Sequence, residues 1–191
     1  MKNATIVLGS PNTEGNTARM VEAMLSGIDN DNITVNKIEL SKLERINHCI
    51  GCDVCKTDDM HKCIHDDGLN DIIAEVRNSD LLVIAFPIYF FNLNSLTKAF
   101  IDRLFYSSEI NNNENILRGK KIGILITYGL TNVMDSGAKN ALQSLYDISK
   151  FVGVEIIGIV YGSIGDDQEQ NEILLNRAKN LGKIINREIL A

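Results

Sequence analysis

No apolar run in this chain is long enough to span a bilayer, and the N-terminus carries no signal-peptide pattern. The expectation is a cytoplasmic protein without membrane contact. Basic residues are in deficit: 19 lysines and arginines stand against 25 aspartates and glutamates, a net charge of −6. That balance argues against nucleic acid and anionic lipid surfaces as partners. Internal repeats, low-complexity tracts and linkers are absent, so residues 1–191 are expected to form one domain. A chain of 191 residues with a 45% hydrophobic fraction can bury a full core. Proline is scarce as well, Pro11 and Pro87 being the only two.

The blocks that remain alternate between two periods. Apolar strands are expected at about 4–9, 33–40, 81–86, 121–127 and 154–161, and helices at about 16–29, 69–78, 94–106, 135–151 and 167–188. Leu81 to Phe86 is continuously apolar, as in a central parallel strand covered on both faces. Five strands alternating with helices predict an α/β fold with a parallel sheet between two helical layers. An irregular stretch at about 43–67 interrupts the alternation, and Asn111 to Glu114 reads as a solvated loop.

Ligands of such sheets bind beyond the carboxyl ends of the strands, where the strand order reverses. Strand one ends there in Gly9-Ser10-Pro11-Asn12-Thr13-Glu14-Gly15-Asn16-Thr17, a run of hydroxyls, amides and glycines leading into a helix. A helix start offers unpaired N–H groups and the positive end of its dipole to an anion. The loop has no lysine, so it is no Walker loop, and it lacks the three-glycine dinucleotide fingerprint. It reads as a phosphate cradle built from neutral donors, or else as an ordinary turn with Asn16 or Thr17 as N-cap. Pro87 leaves strand three at the same edge and runs into Ile88-Tyr89-Phe90-Phe91-Asn92. Aromatics on such a loop suit a bed for a flat ring system, or a subunit interface. Thr127-Tyr128-Gly129-Leu130 leaves strand four there too.

Gly9-Ser10-Pro11 with Gly15-Asn16-Thr17, then Phe86-Pro87-Ile88-Tyr89-Phe90, then Lys98-Ala99-Phe100-Ile101-Asp102-Arg103 closely resembles the flavodoxin-like FMN-dependent oxidoreductases, including the NAD(P)H-dependent FMN and quinone reductases. The resemblance covers essentially the whole chain. It implies a doubly wound five-stranded sheet and FMN as cofactor. It also implies that Ser10, Pro11, Asn12, Asn16, Thr17 and Ala18 hold the FMN phosphate end, and that Pro87, Ile88, Tyr89, Phe90 and Asn92 line the isoalloxazine. Tyr128 and Gly129 would meet the ring's other edge, whereas Lys98 and Arg103 read as structural or interface residues. The family usually forms dimers or tetramers, so a homo-oligomer is expected.

All four cysteines fall in the irregular stretch, as Cys49, Cys52, Cys55 and Cys63 in the pattern C-x2-C-x2-C-x7-C, flanked by His48, His61 and His65. In a cytoplasmic chain this is no disulfide framework. Closely spaced thiolates suit a cubane cluster, each reaching a different iron, and Gly51 eases the turn between them. The resemblance narrows here to the iron–sulfur flavoproteins, which carry a compact four-cysteine insertion after strand two for a 4Fe–4S cluster. Zinc and free or redox-active thiols are the competing readings. Asp53, Asp58, Asp59, Asp66 and Asp67 oppose an anionic cluster, and Lys56 and Lys62 offset them only in part. The expected activity is electron movement through FMN between a small-molecule or protein donor and acceptor. No residue stands out as a catalytic acid or base. The alternative is a flavodoxin-like carrier that shuttles electrons between protein partners.

Overall fold

Alternation along the strands decides which residues face which helices. In β3 (Leu81–Tyr89), Leu82, Ile84 and Phe86 point to one face of the sheet, and Leu81, Val83 and Ala85 to the other. The computed structural model describes residues 1–57, 62–107, 117–130 and 132–191, except the side chains of 105–107. The polar stretch Asn111–Glu114, with Asp58, Asp59 and His61, lies outside the described residues.

The parallel sheet runs in the order β2 (Ile33–Glu39), β1 (Lys2–Leu8), β3, β5 (Lys121–Thr127), β6 (Glu155–Gly162). This is the flavodoxin-like winding, with its reversal between β1 and β3. The five-stranded expectation needs one addition: β4 (Asn92–Leu93) pairs antiparallel with the end of β3. Helices α1 (Asn16–Leu25) and α7 (Gln168–Leu190) cover one face. Helices α3 (Leu69–Asn78), α4 (Ser95–Ser107) and α6 (Ala138–Val152) cover the other.

Two glycines let α1 and α7 touch backbone to backbone. A Cβ at Gly182 would lie 2.2 Å from the Met24 carbonyl oxygen, and one at Gly27 would lie 2.2 Å from that of Lys179. The helix expected at 135–151 is in fact split. A single turn, α5 (Val133–Ser136), meets α6 at Gly137, whose φ of 81° is left-handed. A Cβ there would run into the Phe91 backbone at 2.2 Å, so the break seats the β3–β4 hairpin against α6. Within the irregular stretch a short helix, α2 (Val54–Thr57), carries Cys55. No helix among the described residues is long and apolar enough to cross a membrane.

Candidate functional site

The loops after β1 and β3 leave adjacent parallel strands for opposite faces of the sheet, which opens a cleft between them. Gly9 extends the β1–β3 ladder, its N–H donating to the Ala85 carbonyl at 2.8 Å. The loop then folds on itself. Ser10 Oγ, buried, donates to the Asn12 carbonyl at 2.9 Å and accepts from the Asn12 N–H at 3.2 Å. Asn12 Oδ1 accepts from the Glu14 N–H at 3.0 Å.

The start of α1 differs from the ordinary capped turn. Its N-cap is Gly15, not Asn16 or Thr17, and no side chain caps it. The first turn has no acidic residue. The first backward bond runs from the Arg19 N–H to the Gly15 carbonyl at 3.0 Å, so the N–H groups of Asn16, Thr17 and Ala18 head the helix without intrahelical acceptors. An exposed, uncapped helix start with no acidic residue in its first turn fits a phosphate. Pro11 and Asn12 are exposed on the rim, and Ala18 is buried behind it.

Asn16 and Thr17 have partners that tie the loop to the far side of the cleft. Asn16 Nδ2 donates to the Ile164 carbonyl at 3.0 Å. The buried hydroxyls of Thr17 and Thr127 lie 2.6 Å apart, joining the helix start to the end of β5. Thr127 and Ile164 escape a local reading because they come together with α1 only through the sheet order.

Pro87 falls inside β3, beyond the last residue paired with β1, and lies opposite Thr127 of β5. A proline fits there because no ladder donor is required of it on the β1 side. Pro87 and Ile88 are half-buried and Tyr89 is exposed. Phe90 and Phe91 form the two-residue turn to β4, with φ of 46° and 69°. Positive φ at both positions is the geometry of a tight hairpin that normally takes Asn-Gly. Aromatic residues there are strained, yet Phe90 is 97% exposed, its ring standing T-shaped to that of Phe91 at 5.9 Å. Asn140 Nδ2 steadies the turn by donating to the Phe91 carbonyl at 3.2 Å. Asn92 is exposed, its Oδ1 accepting from the Leu93 N–H.

Two residues absent from the sequence reading hold these loops together. Asn94 Nδ2, buried, donates to the Gly9 carbonyl at 2.8 Å and to the Pro87 carbonyl at 3.2 Å, while its Oδ1 accepts from the Thr97 N–H at the start of α4. Thr97 Oγ1 adds a second donor to the Gly9 carbonyl at 3.1 Å. The Asn-x-x-Thr spacing before a helix is the signal that would have found them.

On the remaining side, the Tyr128 N–H donates to the Gly162 carbonyl at 3.2 Å. Tyr128 borders an open cleft of about 390 Å³ shared with Tyr161 and Arg177. Burial pushes its phenol up, and nearby Tyr161 adds to this against the opposing Arg177, so the hydroxyl stays protonated at neutral pH. Gly129 is exposed, with open space where a side chain would stand.

The cysteine segment turns sharply, with left-handed Gly51 and Asp53 on either side of Cys52. None of the four cysteines is in a disulfide: Cys55 is buried, Cys49 and Cys63 are half-buried, and Cys52 is exposed. Burial pushes the Cys55 thiol up, and the Cys63, Cys49 and Cys52 thiols add to it in that order. Among the described residues, no three metal-ligating side chains close on a single ion. The acidic surroundings are softer than the sequence implies. Asp67 is neutralised by Arg103 at 2.6 Å, and Asp53 pairs with Lys56 at 3.3 Å. His65 keeps a buried Nε2 with no hydrogen-bond partner among the described residues. Lys98 pairs on the surface with Asp102.

This geometry has relatives. The family described as NADPH-dependent FMN reductase matches residues 1–168. An iron–sulfur flavoprotein of Archaeoglobus fulgidus is 29% identical over 182 residues, covering 94% of this chain and 76% of its own. An FMN-dependent NADH:quinone oxidoreductase of Vibrio parahaemolyticus is 27% identical over 162 residues, covering 78% of this chain and 81% of the other. A solved flavodoxin from the domain Archaea superposes with a TM-score of 0.62 at 17% identity, covering 100% of both chains. An uncapped helix start at the flavodoxin-type switch point, together with a family match over residues 1–168, leads to one conclusion: the chain belongs to the NADPH-dependent FMN reductase family and is an FMN-binding oxidoreductase.

Proposed function

We propose that this chain is an iron–sulfur flavoprotein whose FMN lies across the β1–β3 switch point and whose four cysteines carry a 4Fe–4S cluster. The observation that carries the flavin placement is the uncapped start of α1, with three unpartnered N–H groups and no acidic residue in its first turn. Those N–H groups, with Ser10, Asn12 and Asn16, hold the phosphate, and Pro11 and Ala18 shape the loop around it. Thr17 acts through its bond to Thr127, which fixes the helix start against β5. Pro87, Ile88, Tyr89, Phe90 and Asn92 form the bed of the ring, and Tyr128 and Gly129 border its far edge.

FMN bound there would supply the redox chemistry that links NAD(P)H to an acceptor. The protein's part is to orient and to exclude water, and it needs no side-chain acid or base for hydride transfer. Tyr128 keeps its proton on Oη and presents a neutral donor to the cleft. Cys49, Cys52, Cys55 and Cys63 supply four thiolates, the donor set of a cubane cluster. The neutralised Asp67 and Asp53 lower the cost of holding its negative charge. Exposed Tyr89, Phe90, Phe91, Leu130 and Met134 support assembly into a homodimer or homotetramer of a cytoplasmic protein.

Steady-state oxidation of NADH and NADPH with quinone, free flavin or nitro acceptors tests this reading. Turnover without any partner protein is the expected result. FMN-loaded protein inert with both nucleotides would favour the electron-carrier alternative.

A further inference from the structure

Arg103 and Asp67 are an ion pair closed off from water, their side chains 1% and 0% exposed. Such a pair is weak evidence of stabilisation, because desolvation offsets its attraction. Its use is therefore to be sought in what it orients. Arg103 Nη1 donates to both Asp67 oxygens, at 2.7 and 2.6 Å, and to the Asn47 carbonyl at 3.3 Å. Asp67 Oδ2 in turn accepts from the Asn47 backbone N–H and from its Nδ2, both at 2.9 Å. The chain two residues ahead of Cys49 is thus fixed from both sides of the pair.

The guanidinium also reaches the other end of the cysteine motif. Nη2 donates to Asn70 Oδ1 at 3.3 Å. An arginine offers donors only, so it sets the amide oxygen of Asn70 toward itself. In that setting, Asn70 Oδ1 accepts from the Cys63 N–H at 3.1 Å. Asn70 Nδ2 donates to the Cys63 carbonyl at 3.2 Å and to the His65 carbonyl at 2.7 Å. Both backbone groups of the last cysteine are held by one amide, whose orientation is set by one guanidinium.

We infer that Arg103 is the positioning residue of the four-cysteine centre. It clasps the segment at its base, fixes Cys63 through Asn70, and sets the separation of the first and last thiols. Arg103 sits on α4, whose start grips the Gly9 and Pro87 carbonyls through Asn94 and Thr97. One helix thereby carries both the flavin loops and the cysteine clasp. The inference rests on the four cysteines acting together, whatever they hold.

Three variants of the full chain test it: Arg103→Lys, Asn70→Ala, and Arg103→Met combined with Asp67→Leu. The last replaces the buried charges by apolar groups that keep the core filled. Each is measured for FMN per chain, for iron per FMN after anaerobic reconstitution with iron and sulfide, and for iodoacetamide labelling of each cysteine in the iron-free protein. Exposed Cys52 serves as internal reference. The inference expects FMN to be retained, iron per FMN to fall, and Cys63 labelling to quicken about fivefold, the effect of one lost hydrogen bond on a local opening. Arg103→Lys keeps the charge without the planar fork and falls between wild type and the other two. Unchanged iron and unchanged Cys63 labelling in variants that hold FMN would overturn it. Parallel loss of FMN and iron in all three would also overturn it, since the damage would then be to the fold. A wild-type chain that takes up no iron removes the cluster reading alone, and Cys63 labelling then decides the positioning role by itself.

Discussion

Thr17 shows how much one hydroxyl does at this site. It is buried, and its hydroxyl lies 2.6 Å from Thr127 Oγ1. Thr17→Val keeps the shape and leaves the Thr127 hydroxyl without a partner, at a cost of about 1–3 kcal/mol in chemical denaturation. Adding Thr127→Val removes the orphan, so the double variant is expected to recover part of that loss in a double-mutant cycle. Strict additivity would count against the pair. Asn16→Asp tests the phosphate cradle. It places a negative charge at the helix start, where the phosphate would lie, and FMN titration is expected to show about tenfold weaker binding, worth roughly 1.4 kcal/mol. Unaltered affinity would mean that the phosphate sits elsewhere. Ser10, Asn16 and Thr17 are legible in the sequence because they follow a strand and open a helix. Their partners are not, since Thr127 lies 110 positions from Thr17, and Asn94 lies 85 from Gly9. Only the strand order brings them together.

The β3–β4 hairpin is the element least like its sequence prior. The apolar run promises a strand ending near Phe86, yet pairing continues to Tyr89 and returns through β4. The turn hides from sequence reading because Phe-Phe is a poor choice for two left-handed positions. Strain retained at a ligand edge points to use of the side chains. Phe90→Asn with Phe91→Gly supplies the favoured turn residues and is expected to raise the melting temperature by the equivalent of about 1–3 kcal/mol. If the ring bed needs the aromatics, the same variant loses FMN affinity or acceptor turnover. A variant both more stable and fully active would remove the hairpin from the site. The α1–α7 contact makes the opposite case. Gly182→Ala forces a Cβ against the Met24 carbonyl and is expected to cost about 1–3 kcal/mol in chemical denaturation.

At the scale of the molecule, the five parallel strands and their covering helices are readable, because buried parallel strands and amphipathic helices have different periods, whereas β4, α2 and the break at Gly137 are not. The cysteine stretch was readable only as a spacing, since its order depends on Arg103, Asp67 and Asn70 from two helices and a loop. That clasp has a pH signature. Burial, the largest single influence, pushes the Asp67 carboxyl up. Hydrogen bonds from Arg103 and from the Asn47 backbone and side chain, with the Arg103 charge, outweigh it and hold the carboxyl below its ordinary value. A carboxylate depressed on folding stabilises the fold above its unfolded value and loses that contribution as pH falls through the folded one. Stability, followed by denaturant midpoint, is therefore expected to fall progressively below about pH 4, the ordinary aspartate range. Asp67→Asn should flatten that limb, and an unchanged slope would show that other carboxylates set it.

The central claim is that one chain carries FMN at the switch point and an iron–sulfur cluster on its cysteines. Its most direct test is the visible spectrum of anaerobically purified protein, with FMN, iron and acid-labile sulfide counted on the same sample. Flavin bands over a broad cluster absorbance are expected, with one FMN per chain and about four iron and four sulfide. Flavin without iron or sulfide even after anaerobic reconstitution, or no flavin even after incubation with FMN, would contradict it.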